Sequence, residues 1–196
     1  MKRFAIFASG SGTNAENIIR HFKSIGQADA CAMVVTNRPD AGVVKRASRE
    51  DVPVVILTKA DMQEQEKVLD ILRSRKVELI VLAGYLLLLP AYLVNEYHNR
   101  IINIHPALLP AHSGKGMFGR HVHEDVIRCG DPESGITIHY VTERFDEGET
   151  IFRATCPVLP DDDAASLEAK IHQLEYAHFP HVVETLLNNL DNQQNY

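Results

Sequence analysis

The chain has 196 residues, 45% of them hydrophobic, and a formal net charge of −6. A length of this order predicts one domain, and the negative charge argues against a basic nucleic-acid-binding face. Three widely spaced cysteines are too few for a disulfide framework, which favours a reducing compartment, the cytoplasm. The apolar stretches are shorter than the ~20 residues of a membrane-spanning helix, so we expect no membrane association.

Short apolar runs alternate with helix-like stretches in the first half of the chain. We predict strands at Phe4–Ala8, Ala32–Thr36, Val52–Leu57, Leu79–Ala83 and Ile101–His105. We predict helices between them at Asn14–Ser24, Ala41–Glu50, Asp61–Arg75 and Pro90–Tyr97. This alternation is typical of a doubly wound, mostly parallel sheet with right-handed crossovers.

The pattern changes after the fifth predicted strand. A helix is indicated at Glu124–Cys129, followed by strands at Gly135–Val141 and Thr150–Cys156. With no helix between them, these two strands are expected to form an antiparallel edge pair. A long helical pattern covers Ala164–Leu190, with an interruption expected near Pro180. The chain is thus expected to form one α/β domain over residues 1–190, with a frayed tail at 191–196.

The glycine-rich segment Ser9-Gly10-Ser11-Gly12-Thr13-Asn14 joins the first strand to the first helix. Its glycines allow the backbone to curl closely around an anion, and the helix N-terminus then presents N–H groups to it. No Lys-Ser or Lys-Thr follows, so it is not a Walker loop, and Ala15 replaces the third glycine of a dinucleotide-binding fingerprint. We favour a phosphate site; the alternative is a simple turn in which Thr13 or Asn14 caps the helix.

The fifth predicted strand carries two polar side chains, Asn103 and His105, at positions i and i+2. They face the same side of a strand, at the carboxyl end where ligands bind in open α/β sheets. An imidazole can act as an acid or base near neutrality, and an amide N–H can stabilise an oxyanion. The alternative for His105 is a structural core histidine bonded to a carbonyl.

Two later features are candidates for the same site. Asp146, in an Asp-Glu-Gly turn, would favour the imidazolium and orient the ring if it reached His105; otherwise it is a surface carboxylate. The segment 111–123 contains three glycines and three histidines and is interpreted as a mobile loop over the site. A metal at His121 and His123 is disfavoured, because the usual further ligands are missing nearby.

Four motifs together make the chain resemble the folate-dependent phosphoribosylglycinamide formyltransferase family. They are Gly-Ser-Gly-Thr-Asn in the first loop, Val81-Leu82-Ala83-Gly84-Tyr85, the segment from Asn103 to Pro110, and Asp146-Glu147-Gly148. The resemblance extends from Phe4 to about Pro180. It implies transfer of the formyl group of 10-formyltetrahydrofolate to the amine of N1-(5-phosphoribosyl)glycinamide in de novo purine (IMP) biosynthesis, without a metal. It also implies a Rossmann-like fold, small-molecule substrates, and a monomer or homodimer.

The same resemblance implies the roles of individual residues. Asn103, His105 and Asp146 match the family's catalytic residues. The ribonucleotide site is implied at Gly12, Thr13, Asn14, Gln173 and Glu175, although a helical Glu is more commonly solvated. The folate site is implied at Leu86, Leu87, Leu88, Leu89, Asn103, Thr142, Glu143, Arg144, Phe145 and Asp146.

The chain also departs from the family pattern. Leu87 stands where many relatives carry Arg, residues 59–66 are shortened, and the loop after Pro110 is longer. The first two departures concern recognition of the folate glutamate tail, and the third concerns folate affinity and loop motion. None of them affects the three expected catalytic residues.

Other activities remain as alternatives. A formyltetrahydrofolate hydrolase or a methionyl-tRNA formyltransferase would share the catalytic pattern, but we expect either to carry a further domain. An NAD(P)-binding oxidoreductase is disfavoured, because the second strand ends in Val35-Thr36-Asn37 without the acidic residue that binds ribose. A nucleotide-binding module without catalysis would be expected to have a substituted catalytic set.

Overall fold

The computed structural model describes residues 2–114 and 116–190, and this part contains seven strands and six α-helices. The strands are β1 (Arg3–Phe7), β2 (Cys31–Thr36), β3 (Val54–Ile56), β4 (Val77–Leu82), β5 (Ile101–His105), β6 (Glu133–Tyr140) and β7 (Thr150–Pro157). The helices are α1 (Thr13–Ser24), α2 (Gly42–Arg49), α3 (Gln65–Ser74), α4 (Ala91–Glu96), α5 (Arg120–Cys129) and α6 (Ala164–Asn189). The predicted tail at 191–196 lies outside the described residues.

The seven strands form one sheet in the order β3-β2-β1-β4-β5-β6-β7. Strands β1 to β5 pair in parallel, whereas β5–β6 and β6–β7 pair antiparallel. The predicted fold class is therefore confirmed: a mostly parallel doubly wound sheet with an antiparallel C-terminal edge. None of the described helices is both long and apolar enough to cross a membrane.

Both faces of the sheet are covered, which accounts for the nearly continuous apolar character of its central strands. Successive side chains of a strand point to opposite faces, so Phe4 and Ile6 join the core that includes α1 and α6. Ala5 and Phe7 join the core on the other face, which includes α3 and α4. The strand order reverses between β1 and β4, and this switch point is where open α/β sheets bind ligands.

The predicted break near Pro180 is wrong, because α6 continues through it. A proline inside a helix has no N–H for the carbonyl four residues earlier, here that of Tyr176. Asn17 of α1 supplies a replacement donor, with its Nδ2 3.0 Å from the Tyr176 oxygen. Pro180 is also buried against the core. Packing and one side-chain hydrogen bond thus offset the lost backbone bond.

Two helix boundaries also differ from the prediction. The helix expected over 61–75 is divided into a 3₁₀ turn at Asp61–Gln63 and α3, since Glu64 has a ψ of 80°. Helix α5 begins at Arg120 rather than Glu124, because Gly119 adopts φ 54° and ψ −136°, a conformation that permits the chain to turn into a helix there.

Candidate active site

A cavity of about 690 Å³ lies at the carboxyl ends of β1, β4 and β5. This volume is within the range of about 300–1,000 Å³ that is common for small-molecule sites. Its walls come from the glycine-rich loop, the segment after β4, the end of β5, the loop before α5 and one face of α6. The cavity therefore collects residues from all parts of the chain at the switch point.

The glycine-rich loop forms one end of this cavity. Gly12 is the N-cap residue of α1, with φ 79°, and no side chain caps the first turn. The alternative interpretation, in which Thr13 or Asn14 caps the helix, is therefore wrong. Uncapped N–H groups at a helix N-terminus favour an anion, and Gly10, Gly12, Thr13 and Asn14 all line the cavity.

Three side chains predicted to be catalytic lie close together at the middle of the cavity. Asn103 and His105 occupy the carboxyl end of β5, and Asp146 lies in the β6–β7 turn with a φ of 57°. The His105 Nδ1 is 3.6 Å from the Asp146 Oδ1, an ion-pair distance but too long for a good hydrogen bond. The other carboxylate oxygen of Asp146 accepts from the Gly114 N–H at 3.1 Å.

The His105 ring is almost fully buried, at 3% exposed, and its tautomer follows from its neighbours. Its Nε2 is 2.8 Å from the carbonyl oxygen of His112, which can only accept, so Nε2 carries a proton. Burial lowers the pKa of His105, and Asp146 opposes this shift without overcoming it. Asp146 thus favours the imidazolium as expected, yet the resting ring is neutral with Nδ1 facing the carboxylate.

His139 is a fourth polar side chain at this point, fully buried, and the sequence reasoning missed it. It lies opposite Asn103 in the β5–β6 ladder, and Asn103 Nδ2 is 3.2 Å from its Nε2. Its Nδ1 is 2.8 Å from the Tyr140 carbonyl oxygen and therefore carries a proton, and burial lowers the pKa of the ring. A neutral His139 accepts from Asn103 and so orients the Asn103 amide.

Helix α6 provides the acidic wall of the cavity. Glu175 is 6% exposed and accepts from Asn14 Nδ2 at 2.8 Å, so the solvated alternative is wrong. Burial raises the pKa of this carboxyl, and Asn14 opposes the shift. Gln173 is exposed and does not line the cavity, because it lies on another face of α6. His172 and Glu168, at helical spacing from Glu175, line the wall. The expected contact of Gln173 with the ribonucleotide stays a prediction.

A second, smaller cleft of about 50 Å³ adjoins the first. Most of the residues expected to bind folate line it: Leu87, Leu88, Leu89, Asn103, Thr142, Arg144, Phe145 and Asp146. Leu86 lines the large cavity instead, and Glu143 is exposed and lines neither, so its expected contact with folate stays a prediction. Tyr85, Asn103, Phe145 and Asp146 line both spaces, so two of the predicted catalytic residues lie where the spaces meet.

The loop before α5 covers part of the cavity, with Gly114, Gly116, Met117, Phe118 and Gly119 in its lining. Of the two histidines considered as metal ligands, His121 is exposed, whereas His123 is buried and lines the cavity. Within residues 2–114 and 116–190, two groups have the spacing to hold an ion, and neither includes these histidines. The groups are His21, His181, Glu184 and His112, Asp125, Cys129.

Comparison with known proteins gives one consistent result. The formyl transferase family model matches residues 2–183. A phosphoribosylglycinamide formyltransferase of Bacillus subtilis is 36% identical over 191 residues, which cover 95% of each chain. The chloroplastic phosphoribosylglycinamide formyltransferase of Vigna unguiculata is also 36% identical, over 94% of this chain, but this chain spans only 61% of that relative's length.

A solved structure agrees with these relatives. The glycinamide ribonucleotide transformylase 1 of Geobacillus kaustophilus superposes with a TM-score of 0.85 and is 38% identical, over 95% of this chain and 99% of that one. The match covers the strands that carry the cavity and its predicted catalytic residues. With the family model matching nearly the whole sequence, the chain belongs to the formyl transferase family.

Proposed function

We propose that this protein transfers the formyl group of 10-formyltetrahydrofolate to the primary amine of N1-(5-phosphoribosyl)glycinamide, a step of de novo purine (IMP) biosynthesis. The observation that carries the proposal is the meeting of two ligand spaces at Asn103 and Asp146, with His105 buried beside them. Two substrates entering from opposite sides would bring amine and formyl carbon together there. The B. subtilis and G. kaustophilus relatives, a phosphoribosylglycinamide formyltransferase and a glycinamide ribonucleotide transformylase, support the acceptor and the transferred group.

The large cavity suits a phosphorylated amine. Its glycine end offers the N-terminus of α1, and we assign the phosphate to Gly12, Thr13 and Asn14. Helix α6 offers Glu175, a buried carboxyl that is hydrogen-bonded to Asn14 and can also accept a hydrogen bond from the attacking amine. Separate contacts to the phosphate and to the amine would orient the ribonucleotide in one direction.

The small cleft suits the pteridine ring of the folate. Leu87 and Leu89 provide an apolar wall, and the β6–β7 turn provides backbone groups for the polar edge of the ring. A space of about 50 Å³ is far below the usual size of a ligand site, so the ring must widen the cleft on binding. We therefore expect Phe145, which is 42% exposed beside the cleft, to move when folate binds.

The chemistry follows from the three polar side chains. The neutral amine attacks the formyl carbon, and negative charge develops on the formyl oxygen. An Asn103 N–H can stabilise that charge. His105 can do the same once its Nδ1, unprotonated in the resting ring, has taken up the proton that the attacking amine loses. Asp146 favours the protonated ring, and the growing negative charge beside it has the same effect. When the bond to the folate nitrogen breaks, that nitrogen gains a proton and the amine loses one.

Hydrolysis of the formyl folate is the alternative with the same catalytic residues. Water as acceptor would need neither the uncapped helix end nor the buried Glu175, and both lie in the large cavity. These two features favour a phosphorylated amine as the acceptor.

An absorbance assay for loss of the folate formyl group tests the proposal. We expect turnover that depends on the ribonucleotide. The inactive comparison is His105→Ala, and the matched control is His98→Ala, since His98 is exposed. Formyl loss without the ribonucleotide would identify a hydrolase, and no turnover by a folded wild-type protein in either condition would contradict the proposal.

We propose further that the reaction needs no metal and takes place in the cytoplasm. The three polar side chains supply hydrogen bonds and a proton, so the step as written has no role for an ion. Turnover that survives dialysis against EDTA is the expected result. The three thiols Cys31, Cys129 and Cys156 are free, as in a reducing compartment, and fractionation of cells would test the location.

A further inference from the structure

The side chain of His112 lies between two carboxylates beside the active site. Its Nδ1 is 2.6 Å from Asp125 Oδ2, and its Nε2 is 2.6 Å from Asp131 Oδ2. The ring is only 9% exposed, and the backbone of His112 has a φ of 53°. Both ring nitrogens are thus used in short hydrogen bonds to α5 and to the turn that follows it.

These contacts determine the charge of the ring. An ionised carboxylate only accepts hydrogen bonds, and a neutral imidazole has a single N–H to donate. Two such bonds therefore require an imidazolium. Burial works against the charge, but the hydrogen bonds that the ring donates to Asp125 and Asp131, together with their negative charges, outweigh it and raise the pKa of His112. Arg128 pairs with the other oxygen of Asp125, so two cations balance two carboxylates.

The backbone of His112 is hydrogen-bonded to His105, the proposed catalytic histidine. The carbonyl oxygen of His112 accepts the Nε2 proton of His105 at 2.8 Å. With its side chain fixed to two elements, His112 cannot shift this carbonyl without breaking short charged hydrogen bonds. The His105 proton is therefore kept on Nε2, and Nδ1 is left facing Asp146 and the cavity.

We propose that His112, held as an imidazolium between Asp125 and Asp131, is a positioning residue that fixes the ring of His105. The inference rests on the proposed role of His105 in formyl transfer. It adds that His112 carries a positive charge and anchors the loop after β5 to Asp125 and Asp131, contacts that no local sequence pattern indicates. Small displacements of a reacting group can cost about 10²-fold in rate, so a loss of roughly 10- to 100-fold in kcat is the expected scale.

The first test is His112→Ala, with His98→Ala as the matched control. His98 is exposed and lines neither the cavity nor the cleft. We expect kcat to fall by about 10- to 100-fold with little change in either KM, while the control keeps wild-type kinetics. In ¹⁵N NMR spectra of the variant, His105 should become a mixture of tautomers instead of carrying its proton on Nε2.

A milder variant covers the case in which His112→Ala does not fold. In Asp131→Asn, a neutral His112 can donate to Asp125 and accept from the new amide, so the geometry survives without the charge. We expect the pKa of His112 to fall while the His105 tautomer is kept. An unchanged pKa of His112 there, or an unchanged His105 tautomer and kcat in His112→Ala, would overturn the inference. Failure of the proposed function would appear separately, as absent transfer by the wild type, whereas the tautomer measurement needs no turnover.

Discussion

The two ends of the active-site cavity are built in different ways. At the parallel end, after β1, the chain presents backbone N–H groups of a glycine-rich loop and a helix N-terminus. At the antiparallel end, where β5 meets β6, it presents polar side chains, the buried His105 and His139 and the partly buried Asn103. The parallel end depends on the local conformation of the backbone, whereas the antiparallel end depends on the register between strands that are distant in sequence. Changes at the two ends should therefore produce different defects.

The largest effect is expected at the antiparallel end, in His105→Ala. Loss of a general acid or base typically costs about 10²- to 10⁴-fold, and we expect kcat to fall by this factor. The KM for the ribonucleotide should stay nearly the same, because its phosphate is assigned to the other end of the cavity. Steady-state kinetics of this variant beside His98→Ala measures both parameters. A large rise in KM with normal kcat would contradict the division of roles.

A slightly smaller effect is expected in Asn103→Ala, which removes one donor to the oxyanion. Such a loss typically costs about 10²- to 10³-fold in kcat. His139→Ala should reduce kcat less, because Asn103 keeps its amide and loses only the partner that orients it. Kinetics of the two single variants and the double variant would test this link. Additive losses in the double variant would show that His139 does not act through Asn103.

The parallel end should respond through binding and stability, as Gly12→Ala would show. A Cβ at Gly12 would lie 2.5 Å from the Val43 side chain and 2.6 Å from its Cα, at a φ of 79°. Overpacking of this kind costs about 1–3 kcal/mol of unfolding free energy, and the displaced loop should raise the KM for the ribonucleotide. Gly10→Ala is the control for stability, since its Cβ would meet no atom within 4 Å. Equal denaturation midpoints for both variants would refute the packing argument.

The smallest effect concerns the proton affinity of the two histidine rings at the antiparallel end. Asp146 raises the pKa of both His105 and His139 against a larger opposing effect of burial. In Asp146→Asn both pKa values should fall further below the ordinary value of about 6.5. Each ring has a lower pKa in the folded protein than in the unfolded chain. Its contribution to the free energy of unfolding is therefore complete above the pKa of the unfolded chain and is lost as the pH falls through the pKa of the folded protein. NMR titration of the two rings checks the direction, and a rise in either pKa would contradict it.

The difference between the two ends also explains what could be predicted from the sequence. The glycine loop and the pair Asn103 and His105 are local patterns, and strand alternation shows which face they share. The same i, i+2 pattern of polar residues is present at Thr137 and His139 in β6. It was missed because only the β5–β6 register places His139 opposite Asn103.

Other features depended on contacts that no local pattern contains. The continuity of α6 through Pro180 requires a donor from Asn17, far away in the chain. His172 lines the cavity and Gln173 does not, because of the way α6 is rotated about its axis relative to the cavity. Burial has a larger effect than Asp146 on the pKa of His105. This could not be predicted without knowing how fully the ring is enclosed.

The most direct test of the account uses 10-formyltetrahydrofolate with a ¹³C-labelled formyl group, followed by NMR in the presence of the ribonucleotide. We expect the label to move from the folate to the amine of the ribonucleotide, and His105→Ala to slow this transfer by about 10²- to 10⁴-fold. Label that appears as free formate at the same rate with and without the ribonucleotide would contradict the proposed transfer and indicate hydrolysis.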